Sequence, residues 1–225
     1  AANNAANDAA DNTADDAADD MADDDMAALG PEFKNPDTYV VLTTSDPETL
    51  DPAWTYETMG SSLENNIYES MVWFNRERND LFVPVLATDW TISDDGTVWV
   101  FNVREGVQFH EGGTLEPHDV AYSLQRAMLQ DRTGGPHWMS HEAFFGTYSM
   151  YGGTVDLFDG DAAAACEAVK SAIVADDEAG TITYTLAAPT PWFLALLANS
   201  FIGNVLDMEW MVEQGAWDGS CDTWE

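Results

Sequence analysis

Between Trp90 and Val103 the sequence permits little but a β-hairpin. Asp94-Asp95-Gly96-Thr97 is a turn, because Gly96 takes the positive φ that a tight reversal needs, and its arms are Trp90–Ser93 and Val98–Val103. In the second arm Trp99 and Phe101 alternate with Val98 and Val100, the two-residue period of a strand with unlike faces. A second hairpin is expected at Ile173–Ala175 and Thr181–Leu186, around Glu178-Ala179-Gly180. Two helices fit between the hairpins. Pro117 suits the first turn of one that runs to about Leu129, and Asp161 to Ile173 forms the other. Ser61 or Ser62 is placed to cap a helix through Met71, and Pro191 to open a last apolar one. Thr38–Thr43, β-branched and aromatic, reads as a buried strand, and Ser45–Pro52 as a loop with two Asp-Pro steps. Hairpins mixed with helices make this an α/β chain, not a repeat protein.

Such a chain needs a core, and an apolar fraction of 45% with 12% aromatics supplies one. Trp90, Trp99 and Phe101 belong to it, and Arg104 is expected to pair with a nearby carboxylate. Residues 1–30 differ: up to Ala28 they are almost wholly Ala, Asn and Asp, a disordered acidic linker that leaves 31–225 to fold. The first 32 residues hold ten acids and no base, and the remainder holds 31 acids against 7 bases. A body this acidic repels phosphate backbones and anionic headgroups, which excludes nucleic acid and membrane surfaces as partners. No run is long and apolar enough for a membrane span.

The only thiols, Cys166 and Cys221, are open to two readings, a disulfide if the protein is exported or two buried free thiols. His137 and His141 stand four apart with Glu142 beside the second, a spacing that fits zinc, but the His-Glu-x-x-His order is absent. A secreted zinc hydrolase is therefore the rival of another class. No nucleophile elbow, phosphate loop or dinucleotide fingerprint occurs, so no enzyme, cofactor or metal is expected.

Specific motifs follow one another along the chain: Thr-Ser-Asp-Pro-Glu-Thr-Leu-Asp-Pro (44–52), Asn-Ile-Tyr-Glu-Ser-Met-Val (66–72) and Val-Pro-Val-Leu-Ala-Thr-Asp-Trp-Thr-Ile-Ser-Asp-Asp-Gly-Thr (83–97). Trp-Val-Phe-Asn-Val-Arg-Glu-Gly-Val-Gln-Phe-His (99–110) and Pro-His-Asp-Val-Ala-Tyr-Ser-Leu (117–124) complete the series. From about Tyr39 to Trp217 the chain resembles the family 5 extracellular solute-binding proteins, the oligopeptide, dipeptide and nickel binders. Departures are Ser70 in place of the family's glycine and Glu111-Gly112-Gly113-Thr114-Leu115 in the loop after Phe-His, both in turns.

The resemblance implies a type II periplasmic-binding-protein-like α/β fold, incomplete, with most of lobe I and none of lobe II. Residues 31–225 would be lobe I, with 61–174 a subdomain inserted between two parts of its sheet. The implied function is capture of peptides outside the cytoplasm, by closure of two lobes, for delivery to the permease subunits of an ABC importer. Oligosaccharides and nickel complexes are the alternatives within the family. The protein would be a monomer in the periplasm or at the cell surface, touching the membrane only through an N-terminal lipid anchor. The residues after Leu-Asp-Pro, namely Tyr56, Glu57 and Thr58, would pair with the ligand backbone as an added strand does. Pro136-His137-Trp138 would give a second contact, with His137 and the aromatic Trp138 against the ligand. The competing structural reading is that Tyr56 and Trp138 simply cover the core.

Overall fold

A computed structural model describes residues 37–131, 134–147 and 152–224, so the linker expected at 1–30 lies outside the described residues. From Thr43 onward the chain forms one unit. It begins with α1 (Thr58–Glu64), followed by a two-stranded antiparallel ribbon of β1 (Val72–Phe74) and β2 (Phe82–Pro84). Next come β3 (Ala87–Ile92) and β4 (Val98–Val103), then α2 (Pro117–Gln130) and α3 (Trp138–Phe145). A 3-10 turn at Thr154–Phe158 leads into α4 (Ala162–Ala172), and β5 (Ile173–Asp176) and β6 (Thr181–Thr185) follow. Two short helices close the described chain, α5 (Phe193–Leu197) and α6 (Met208–Glu213).

The two expected hairpins combine into one antiparallel sheet in the order β3–β4–β6–β5. Ile92 stands opposite Trp99 across the first turn. There Asp95 Oδ1 accepts the Thr97 N–H at 3.1 Å while Gly96 sits at φ +75°. The pleat then decides the core. Trp99, Phe101 and Val103 on β4 and Ile182 and Tyr184 on β6 are buried on one face, with Trp99 opposite Tyr184 and Phe101 opposite Ile182. Phe101 meets Tyr184 edge-on at 5.6 Å, Trp99 lies 5.3 Å from Phe193, and Trp90, half-buried, stacks on Phe101 at 5.7 Å. Each such side chain contributes about 1.5–3 kcal/mol by leaving water. All three aromatics assigned to the core by sequence therefore pack in or against it.

Over this face runs α2. Twelve of its fourteen residues are buried, so it is an internal helix without a wet face, and its polar side chains must find partners inside. Tyr122 Oη donates to the Trp217 carbonyl at 2.9 Å, and Gln125 Nε2 to the Ile173 carbonyl at 2.7 Å. A disulfide joins Cys166 on α4 to Cys221, with Cα atoms 5.6 Å apart.

Three expectations need correction. Thr38–Thr43 is not a strand: Tyr39, Val40, Val41 and Leu42 are exposed, since a β-branched run forms a strand only where another strand takes up its peptide groups. The helix expected from Ser61 or Ser62 to Met71 starts at Thr58 and stops at Glu64. Glu57 is the residue that caps it, and Asn65 and Asn66 lead the chain out toward β1. Among the described residues Arg104 pairs with no carboxylate; its guanidinium donates to the carbonyls of Val85 at 2.7 Å and Ala87 at 3.3 Å, tying the start of β3 to the end of β4.

Candidate functional site

The loop after Leu50 is held from its first residue. Asp51 accepts two hydrogen bonds from Arg126 of α2, at 2.8 and 2.6 Å, and its Oδ1 also takes the Ala53 N–H at 3.0 Å. Burial works against the charge on Asp51, but the guanidinium outweighs it and holds the carboxyl below its ordinary range. Trp54 Nε1 donates to the Gln130 carbonyl at 2.8 Å, so the loop is fastened to the last two turns of α2. Beyond Thr55 the loop is closed by the cap of α1. The Glu57 carboxylate accepts the N–H groups of Met59 and Gly60, both at 2.6 Å. A side chain at Gly60 would place its Cβ 2.4 Å from both Glu57 Oε1 and Thr55 Cγ2, so the cap fits only over glycine.

Between these two fastenings Tyr56 is left free in its backbone. Among the described residues neither its N–H nor its C=O takes part in a backbone hydrogen bond, and Glu57 beside it is extended at φ −146°, ψ 158°. The Tyr56 ring is 41% exposed and stands edge-on to Phe201 at 5.2 Å. Trp138, at the start of α3 and 82 residues away in sequence, donates its indole N–H to Tyr56 Oη at 3.2 Å. Tyr56 and Trp138 therefore meet, and Thr58 is exposed at the head of α1. Glu48, Thr49, Trp54, Thr55 and Gly134 join Tyr56 and Glu57 around a cleft of about 100 Å³.

His137 has a different place. It is fully buried behind Trp138, its Nδ1 3.3 Å from Ser140 Oγ, and burial followed by the nearby His141 pushes its pKa down to about 3. His141 is buried as well, with a pKa lowered to about 4 by burial. Thr154 Oγ1 donates to the Met128 carbonyl at 2.5 Å, so it must accept from His141 Nε2 at 2.7 Å. Both rings are neutral packing elements, and no third ligand-type side chain joins them among the described residues.

Sequence reasoning missed Arg126, which positions the loop, and Glu64, which lies beneath it. Glu64, at the end of α1, is fully buried, and Asn204 Nδ2 is 3.3 Å from its Oε2. Ser61 Oγ pairs with Ser200 Oγ at 2.7 Å and Asn204 Nδ2 donates to the Ser200 carbonyl at 2.6 Å, so α1 and residues 199–204 form one polar seam. Burial, with smaller contributions from Asp51 and Glu57, raises the Glu64 pKa to about 7. An acid whose folded pKa exceeds its unfolded value keeps full stability below the unfolded pKa and loses it as pH rises through the folded one. Glu64→Gln should therefore gain on the wild type by about 3 kcal/mol between pH 4.5 and pH 8. Urea unfolding of both proteins at the two pH values measures this, and parallel pH profiles would refute the assignment.

The family model for "Bacterial extracellular solute-binding proteins, family 5 Middle" matches residues 82–218. The chain is 30% identical over 156 residues to the probable deoxycholate-binding periplasmic protein YgiS of Escherichia coli, covering 68% of this chain and 26% of that protein. It is 31% identical over 173 residues to heme-binding protein A of Haemophilus influenzae, covering 74% of this chain and 28% of the relative. The fold aligns with Listeria monocytogenes OppA bound to peptide at a TM-score of 0.56 and 21% identity, over 74% of this chain and 30% of that one. The chain thus spans under a third of the length of the relatives it matches.

Proposed function

The chain belongs to the bacterial extracellular solute-binding proteins, family 5, and on that premise we propose that it captures peptides outside the cytoplasm for the permease subunits of an ABC importer. The unbonded peptide group of Tyr56, set beside an aromatic wall, is the observation that carries the choice of peptide. A free N–H and C=O in extended chain can bond the backbone of an extended ligand, as an added strand does, without reading its side chains. Tyr56 and Trp138 then supply apolar surface on which a side chain can lie. Glu57 contributes only its backbone N–H, its carboxylate capping α1 and its carbonyl accepting the Ser61 N–H. His137 contributes from below, by fixing the start of α3 under Trp138. The names of the relatives include haem and deoxycholate, so family membership alone does not choose the ligand, and it is the free backbone of the Tyr56 loop that supports the peptide reading.

A nuclear-magnetic-resonance titration of the chain with di- and tripeptides tests this. The amides of Tyr56–Thr58 and the Trp138 indole should shift, and Trp138→Ala should weaken binding about tenfold or more, the loss expected when an aromatic anchor is truncated. Shifts at these positions with oligosaccharide or a nickel chelate, and none with peptide, would move the ligand class. Cleaved peptide in the tube would turn the binder into an enzyme.

A further inference from the structure

His118, the second residue of α2, meets carboxylates from two other elements with its two ring nitrogens. Nδ1 is 3.0 Å from Asp177 Oδ2, in the turn between β5 and β6, and Nε2 is 2.8 Å from Glu209 Oε1 on α6. Asp177 Oδ1 also accepts the His118 backbone N–H at 3.0 Å. Glu116, just ahead of the helix, brings Oε2 to 3.5 Å from Nδ1, and the buried Asp119 brings Oδ1 to 3.9 Å from Nε2. Among the described residues no lysine or arginine pairs with any of these four acids; the arginine ion pairs go to Asp80 and Asp51. An ionised carboxylate only accepts, so an imidazole between two of them must donate from both nitrogens, which only the protonated ring can do.

We propose that His118 is a proton-controlled latch: as an imidazolium it ties α6 and the β5–β6 turn to the start of α2, and on losing its proton it lets α6 go. Burial opposes the charge, but Asp119, Asp177 and Glu209 outweigh burial, and the pKa of His118 lies above its ordinary value. A histidine raised in the folded state gives its full stabilisation below its unfolded pKa of about 6.5 and loses it as pH rises through the folded value. Asp119, whose pKa burial lifts to about 6, is ionised over that same range. Above it Glu116, Asp119, Asp177 and Glu209 face one another with no cation between them.

The element released is suited to move. None of the six residues of α6 is buried, although Met208 and Met211 lie partly buried against the core, and the remaining hydrogen bond from that end to another element among the described residues is the Met208 N–H on Asp119 Oδ1 at 2.8 Å. That bond leads back to the same acid cluster. Trp210 and Met211 also form one wall of a cleft of about 710 Å³ shared with Tyr68, Phe109 and Leu206, so release of α6 takes that wall away. This device is independent of which ligand the Tyr56 loop takes.

The test uses the whole chain with ¹⁵N-labelled histidine in chelator-containing buffer, His118→Gln giving the assignment. At pH 6.5 both ring nitrogens of His118 should carry the protonated signature, and the ring should titrate above pH 6.5. Asp177→Asn and Glu209→Gln should each bring that midpoint down. Amide exchange in 208–213, divided by the intrinsic rate, should rise at least tenfold through the same midpoint, and in His118→Gln it should stay fast at every pH. Should His118→Gln not fold, Asp177→Asn carries the comparison, with the exchange step moving to lower pH. A single neutral tautomer at pH 6.5, or α6 exchange that ignores the His118 titration, would overturn the latch.

Discussion

Replacing Arg126 by methionine is expected to cost about 3–5 kcal/mol of stability, because it leaves the Asp51 carboxylate part-buried without its partner. The side chain of Arg126 is only 6% exposed and that of Asp51 25%, so water replaces only part of what is lost. Asp51→Asn should cost less than Arg126→Met, since asparagine keeps an oxygen for one N–H of the guanidinium. The double variant should recover part of the loss, as both charges leave together. A denaturant-unfolding cycle over the two positions measures the coupling. The same substitution should also loosen the Tyr56 loop, and faster amide exchange at 53–57 than in the rest of the fold would show it. A cycle with additive costs and unchanged exchange would mean that Asp51 is only a surface acid with a neighbour.

How far this could be read from the chain depends on the range of the interactions that fix each part. Both hairpins, α2 and α4 stand close to where Gly96, Gly180, Pro117 and Asp161 place them, because turn geometry and caps act within a few residues. The start of α1 escaped because its cap is the long side chain of Glu57, not one of the serines that follow. Thr38–Thr43 has every local mark of a strand, but a strand is defined by its neighbour, and propensity says nothing about that. Helix α3 was obscured by the Gly-Gly-Pro ahead of it, and the burial of His137 and His141 by their polar type. In the site, the meeting of Tyr56 and Trp138 was legible only through the family motifs, since no periodicity connects residues 82 apart. Arg126 carried a faint signal: an arginine within Ala-Tyr-Ser-Leu-Gln-Arg-Ala-Met-Leu lies on a helix too apolar to leave it in water. Such a charge needs a buried acid, and Asp51 of the Leu-Asp-Pro motif is that acid.

Removing the Cys166–Cys221 bond should cost about 4 kcal/mol, the loop-closure value for a separation of 55 residues. The loss falls on the segment that the bond retains. Residues 217–224 hold to the body by the Trp217 ring stacked on Tyr122 at 5.7 Å, by the Tyr122 hydroxyl on the Trp217 carbonyl, and by Lys170, whose ammonium donates to the Gly219 carbonyl. Trp217 is buried, so the stack survives in part when the bond is cut, while Cys221 and Trp224, only partly buried, have less to keep them. Reductant, or Cys166→Ala with Cys221→Ser, should therefore lower the unfolding midpoint and expose 219–224 to protease before any other part of the body opens. Since α4 and β5 are continuous with Cys166, fraying should spread next to Lys170 and not to the β3–β4 hairpin on the far edge of the sheet. Thiol titration of air-oxidised, unfolded protein must find no free cysteine. Two free thiols there, or a reduced protein less than 1 kcal/mol weaker than the oxidised one, would show that the aromatic stack alone retains the segment.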